Sequence, residues 1–140
     1  MAEKKTAKKS ANPSTLKVQD GVDGVKAGMT DSQVIATVMT RSGMSATTLK
    51  AYANAGDFLE VTDLMTELAK AGDEVVAGDM GRMERMLTHQ AITLNTMFNR
   101  LATRANSQEY MKTMDIYMRL ALKSQTQCRS TVEALALLKL

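Results

Sequence analysis

The sequence predicts an all-α fold: short N-terminal helices packed on a long antiparallel two-helix hairpin that also drives oligomerisation. Three observations carry that expectation. The apolar stock is small or unbranched, with 14 Leu, 12 Met and 18 Ala against nine Val and three Ile, a balance that favours helix over strand. There is one Pro, no Trp and only five Tyr plus Phe, whereas sandwiches and barrels draw on aromatic and β-branched residues and regular turn clusters. The C-terminal half repeats apolar residues every seven positions, the spacing of helix-on-helix packing.

Taken in order, residues 1–29 lack apolar periodicity and read as a basic, disordered arm, with Lys4, Lys5, Lys8 and Lys9 clustered near its start. Regular structure begins at Thr30, because Thr30-Asp31-Ser32-Gln33 is a capping box in which hydroxyl and amide satisfy each other's backbone N–H. Val34, Ile35, Val38 and Met39 then keep helical spacing up to Gly43, which suits a left-handed C-cap. Ser45 caps a second short helix with Leu49, Tyr52 and Ala53 inward. Asp57 caps a third, carrying Leu59, Leu64, Met65 and Leu68 and ending at Ala71-Gly72. The predicted domains are therefore an arm over 1–29, a short-helix region over 30–72 and the hairpin over 73–140.

In the first hairpin helix, Met80, Leu87, Leu94 and Leu101 form one register, and Ala91, Phe98 and Ala105 the other. Asn106-Ser107 breaks the run. The second helix repeats it with Met111, Met118, Gln125 and Val132 in one register and Met114, Ala121, Cys128 and Leu135 in the other. Flanking apolar residues exceed what one seam uses, which is the basis for expecting self-association.

Several function classes are excluded by counting. One Cys and one His leave no internal disulfide, no Cys/His zinc site and no histidine-based triad beyond His89 alone. His89 reads as a surface or interface residue and Cys128 as a small seam hydrophobe. No P-loop or dinucleotide glycine pattern is present, no cofactor is expected, and the chain is not expected to be an enzyme. With no apolar run of membrane length, a cytoplasmic protein is expected.

The net charge of +3 conceals blocks of +3 over 1–29, +1 over 30–56, −6 over 57–79 and +5 over 80–140. Two surfaces follow. Arg41-Ser42-Gly43-Met44-Ser45 through Lys50 matches the turn and second helix of a helix-turn-helix, with Met39 departing from the small residue usual in the first helix. Arg41, Ser45, Thr47, Thr48 and Lys50, helped by Lys4, Lys5, Lys8 and Lys9, would then contact double-stranded DNA. Alternatively, the acidic stripe Asp57, Glu60, Asp63 and Glu67 and the basic face of Arg119, Lys123 and Arg129 would engage a protein.

The stretch Gly78-Asp79-Met80, Leu87-Thr88-His89-Gln90-Ala91, Leu94, Met97-Phe98-Asn99, Leu101-Ala102, Glu109-Tyr110-Met111 and Tyr117 through Arg129, ending in Val132-Glu133-Ala134-Leu135, resembles a group of bacteriophage and prophage proteins. Its most specific block is Gln125-Thr126-Gln127-Cys128-Arg129. The resemblance implies a phage context and supplies no catalytic residues. The expected function is a non-enzymatic phage accessory protein, a DNA-associated oligomer architecturally similar to phage terminase small subunits. The alternative is a module that binds a host or phage protein, such as a host-defence inhibitor, without touching DNA.

Overall fold

A computed structural model describes residues 21–140. Among these the chain is all-α, with five α-helices, one 3-10 turn and no strand. It divides into two compact units that meet between residues 76 and 77, four residues beyond the boundary expected at Gly72.

The first unit contains α1 (Asp31–Thr40), α2 (Gly43–Ala53), a 3-10 turn at Gly56–Phe58 and α3 (Val61–Val76). The capping box forms as expected: Gln33 N–H donates to Thr30 Oγ1 at 3.3 Å, and Thr30 N–H donates to Gln33 Oε1 at 2.9 Å. Val25, Val38, Ala46 and Met65 form the buried core, with Val22, Val34, Val61, Leu64 and Leu68 packed around them. Val25 is 4% exposed, so residues 21–29 belong to the fold and are not part of a loose arm. A tight turn makes this possible, with Gly21 N–H donating to Val25 O at 2.8 Å and Val25 N–H to Val22 O at 3.0 Å.

Four expectations about α2 and α3 are corrected. α2 starts at Gly43, two residues before Ser45, so Ser45 sits in the first turn and caps nothing. Its inner face is Gly43 and Ala46, while Leu49, Tyr52 and Ala53 are exposed. α3 likewise starts at Val61 rather than after Asp57, and it runs through Gly72 to Val76. Gly72 keeps negative φ, and the left-handed residue that follows the helix is Gly78 at φ 85°.

The second unit pairs α4 (Gly81–Asn106) with α5 (Met111–Leu138). They run antiparallel: Arg104 meets Tyr117, Ala91 meets Cys128 and Glu84 meets Lys139. Along α4 the seam uses Leu87, Ala91, Leu94, Phe98, Leu101 and Ala105, as the sevenfold repeat predicts. Along α5 only one predicted register faces inward. Met114, Ala121, Cys128 and Leu135 alternate with Tyr117, Ser124, Thr131 and Leu138, whereas Met111, Met118, Gln125 and Val132 are exposed. Small residues at 121 and 124 let the helix axes approach, and Ser124 satisfies its hydroxyl by donating to Leu120 O at 3.0 Å.

Candidate interaction surfaces

The turn between α1 and α2 is organised by a residue absent from the sequence-derived sites. Asp23, at left-handed φ 39°, meets a residue nineteen positions further along the chain, accepting from the backbone N–H of Ser42 at 2.8 Å and from its hydroxyl. Arg41 Nη1 lies 3.6 Å from its other carboxylate oxygen. The Asp23 side chain is 9% exposed. Burial pushes its pKa up, but the hydrogen bonds from Ser42 and the guanidinium of Arg41 outweigh it and hold the pKa below the ordinary value.

A lowered folded-state pKa means that the carboxylate stabilises the fold above the ordinary aspartate range, and that this contribution fades as pH falls through the folded pKa. Asp23→Asn should cost roughly 1–2 kcal/mol at pH 7, since hydrogen bonds to a charged group are worth more than neutral ones. The gap between variant and parent should narrow as pH drops below about 4. Urea melts at pH 7 and pH 3 check this, and a gap of constant size would contradict it.

With Arg41 tied to Asp23 on its own unit, the proposed recognition surface looks different from the helix-turn-helix expectation. Thr47 and Thr48 donate their hydroxyls to Gly43 O and Met44 O, within their own helix. Ser45 is exposed and Lys50 half-buried. Around them the surface is apolar: Met39, Met44 and Leu49 are 54%, 56% and 44% exposed, and Tyr52 and Phe58 are open to solvent. A groove of about 660 Å³ runs beside α2, lined by Val38, Met39, Met44, Ala51 and Val61 together with the charged Lys50 and Asp57. Residues 21–76 carry eight acids against four bases, a balance that repels phosphate. Lys4, Lys5, Lys8 and Lys9 lie outside the described residues.

The acidic stripe is not one helix face. Asp63 and Glu67 lie a turn apart on α3, Asp57 falls in the 3-10 turn and Glu60 in the link before α3; all four are exposed. On α5, Arg119 pairs with Asp115 at 2.8 Å and Arg129 with Glu133 at 2.8 Å, each one turn away and largely exposed, so these pairs add little stability. Lys123 is exposed between them. Arg104 lies over the ring of Tyr117, 5.4 Å from its centroid, and donates to its hydroxyl at 3.2 Å. His89 is exposed beside Arg85 and Met86 on α4. Cys128 faces the seam, its thiol 3.3 Å from Ala91 O.

Among the described residues no three His, Cys, Asp or Glu side chains gather as a metal site, and no helix is long and apolar enough to cross a membrane. No protein-family model, curated protein or solved structure matches the chain.

Proposed function

We propose that this is a non-enzymatic phage or prophage accessory protein that acts by binding another protein through its N-terminal helical unit, while the hairpin unit joins copies of the chain. The observation that carries the first part is the apolar groove beside α2, lined by Met39 and Met44 together with the charged Lys50 and Asp57. Exposed apolar surface clustered around a concavity and accompanied by charge is the usual form of a protein-docking site. An amphipathic helix is the natural ligand, its apolar face on the Met side chains, which adapt readily to a partner's shape.

A second reading, association with double-stranded DNA, rests on charge: residues 1–20 hold five Lys against two acids, and Arg85, Arg100, Lys112 and Lys123 make no ion pair among the described residues. One experiment separates the two. A photo-crosslinking side chain at Thr47, in cells of the bacterial host, should give a discrete protein adduct that Met44→Asp abolishes. If no adduct forms, and the purified chain instead binds duplex DNA with a steep salt dependence, the DNA reading replaces it. Charge reversal at Arg41 and Lys50 should then cost at least about tenfold, or 1.4 kcal/mol.

A further inference from the structure

The outer face of α5 carries a second helix-packing seam that is exposed among the described residues. Met111, Asp115, Met118, Leu122, Gln125, Arg129, Val132 and Ala136 alternate steps of four and three along the whole helix, the same repeat that packs against α4 one flank away. Met111, Met118, Leu122 and Val132 are 77%, 39%, 51% and 50% exposed. The inner seam leaves most of its side chains only half-buried: between them α4 and α5 fully bury just Ala105, Ala121 and Ser124. Two long helices joined this way normally need a further layer.

We propose that this face binds a second copy of the chain, α5 against α5 in antiparallel sense, making a four-helix arrangement of two hairpins. This deepens the self-association proposed above by naming its surface and direction. The charges choose the occupant and the direction. Asp115 and Arg129 lie one heptad before and one heptad after Leu122, and each is paired one turn away on its own helix, with Arg119 and Glu133. An antiparallel copy gives each Asp115 a second cation, the other copy's Arg129, within a turn. A parallel copy would set Asp115 beside Asp115 and Arg129 beside Arg129, which costs energy in a seam. In the antiparallel layers Leu122 meets Gln125 of the second copy at the centre. Leu122, Met118 and Val132 supply the buried area around it.

A helix of 28 residues is about 42 Å long and, at about 10–12 Å wide, presents on the order of 900 Å² over two copies. That lies below the roughly 1,200–2,000 Å² of stable specific interfaces and within the range of weak, transient ones, so the dimer should dissociate readily rather than be obligate.

Sedimentation velocity on the full chain across about 1–200 μM tests this. The parent should move from monomer toward twice 15.2 kDa. Leu122→Glu should weaken dimerisation at least a hundredfold with helicity by circular dichroism unchanged, and Ile116→Glu, on the opposite flank of α5, should leave it intact. Should Leu122→Glu lose helicity, Met118→Gln provides the milder arm and should weaken it about tenfold. Asp115→Arg alone should weaken the dimer, and adding Arg129→Asp should restore it. A parent that stays monomeric overturns both the self-association and this interface. A folded Leu122→Glu chain that still dimerises, or no recovery in the double charge swap, overturns this interface or its direction while self-association through another face stands.

Discussion

Replacing Met65 by Ala should cost the N-terminal unit roughly 2–5 kcal/mol, the range for truncating a large buried side chain. Met65 is 1% exposed and is the largest fully buried side chain among the described residues. Its core neighbours Val25, Val38 and Ala46 are short, so they cannot reach across the space a thioether leaves, and the cavity penalty stays close to its full value. For a unit of this size each kcal/mol shifts melting by about 4–8 °C, so a drop of more than about 10 °C is expected. Met44→Ala, at 56% exposure in the same unit, should change stability by less than about 0.5 kcal/mol. Amide exchange read over α1 to α3 measures both variants. Equal protection in the two would mean that the core is assigned to the wrong methionine.

What the sequence disclosed, and what it hid, follows from how far each signal reaches. The Thr30–Gln33 box was legible because all its atoms lie within four residues. The α4 seam was legible because Leu87, Leu94, Phe98 and Leu101 are large apolar residues that share one face of their helix. α5 misled because it carries two overlapping sevenfold stripes. Hydrophobicity ranks Met111, Met118 and Val132 above Ser124 and Thr131, yet close packing of two long helices prefers the small side chains. Gly72 resembles a stop in sequence, yet a glycine within a helix only lowers its stability by up to about 1 kcal/mol, which neighbouring contacts readily offset.

The candidate surfaces divide the same way. The chemistry of Arg41, Thr47, Thr48 and Lys50 was visible as a local pattern, but their partners were not. Asp23 is far away in sequence and takes Arg41 and Ser42, and the carbonyls of α2 take both threonine hydroxyls. The one available hint was Asp23-Gly24 in a glycine-punctuated turn, a pairing that marks a tight reversal without naming what the carboxylate will reach. The apolar groove was hidden for a related reason. Whether Met39 and Met44 are core or surface depends on how α2, starting at Gly43, is laid against α1, and helical spacing within either helix does not specify that.

Gly43 decides that start, and substituting it should separate two opposing effects. Glycine in a helix is worse than alanine by about 0.5–1 kcal/mol, so Gly→Ala stabilises wherever space allows. At Gly43 space does not allow it: a Cβ would overlap Val38 Cγ1 and lie 2.6 Å from Val38 O. The carbonyl belongs to the backbone of α1, so relief requires α1 and α2 to move apart, which strains the buried contact of Val38 and Ala46. Overpacking of this kind costs about 1–3 kcal/mol and sometimes more. Gly43→Ala should therefore be destabilising on balance, and Gly43→Val, which adds two methyls and regains less helix propensity, should cost roughly 3 kcal/mol or more. Gly72 supplies the internal control. It is helical, has negative φ, and a Cβ there meets nothing within 4 Å, so Gly72→Ala should raise stability by about 0.5–1 kcal/mol. Denaturant midpoints for the three variants test the sign as well as the size. If Gly43→Ala proved as stabilising as Gly72→Ala, the close approach of α1 and α2 would not exist, and the groove beside α2 would lose the contact that shapes it.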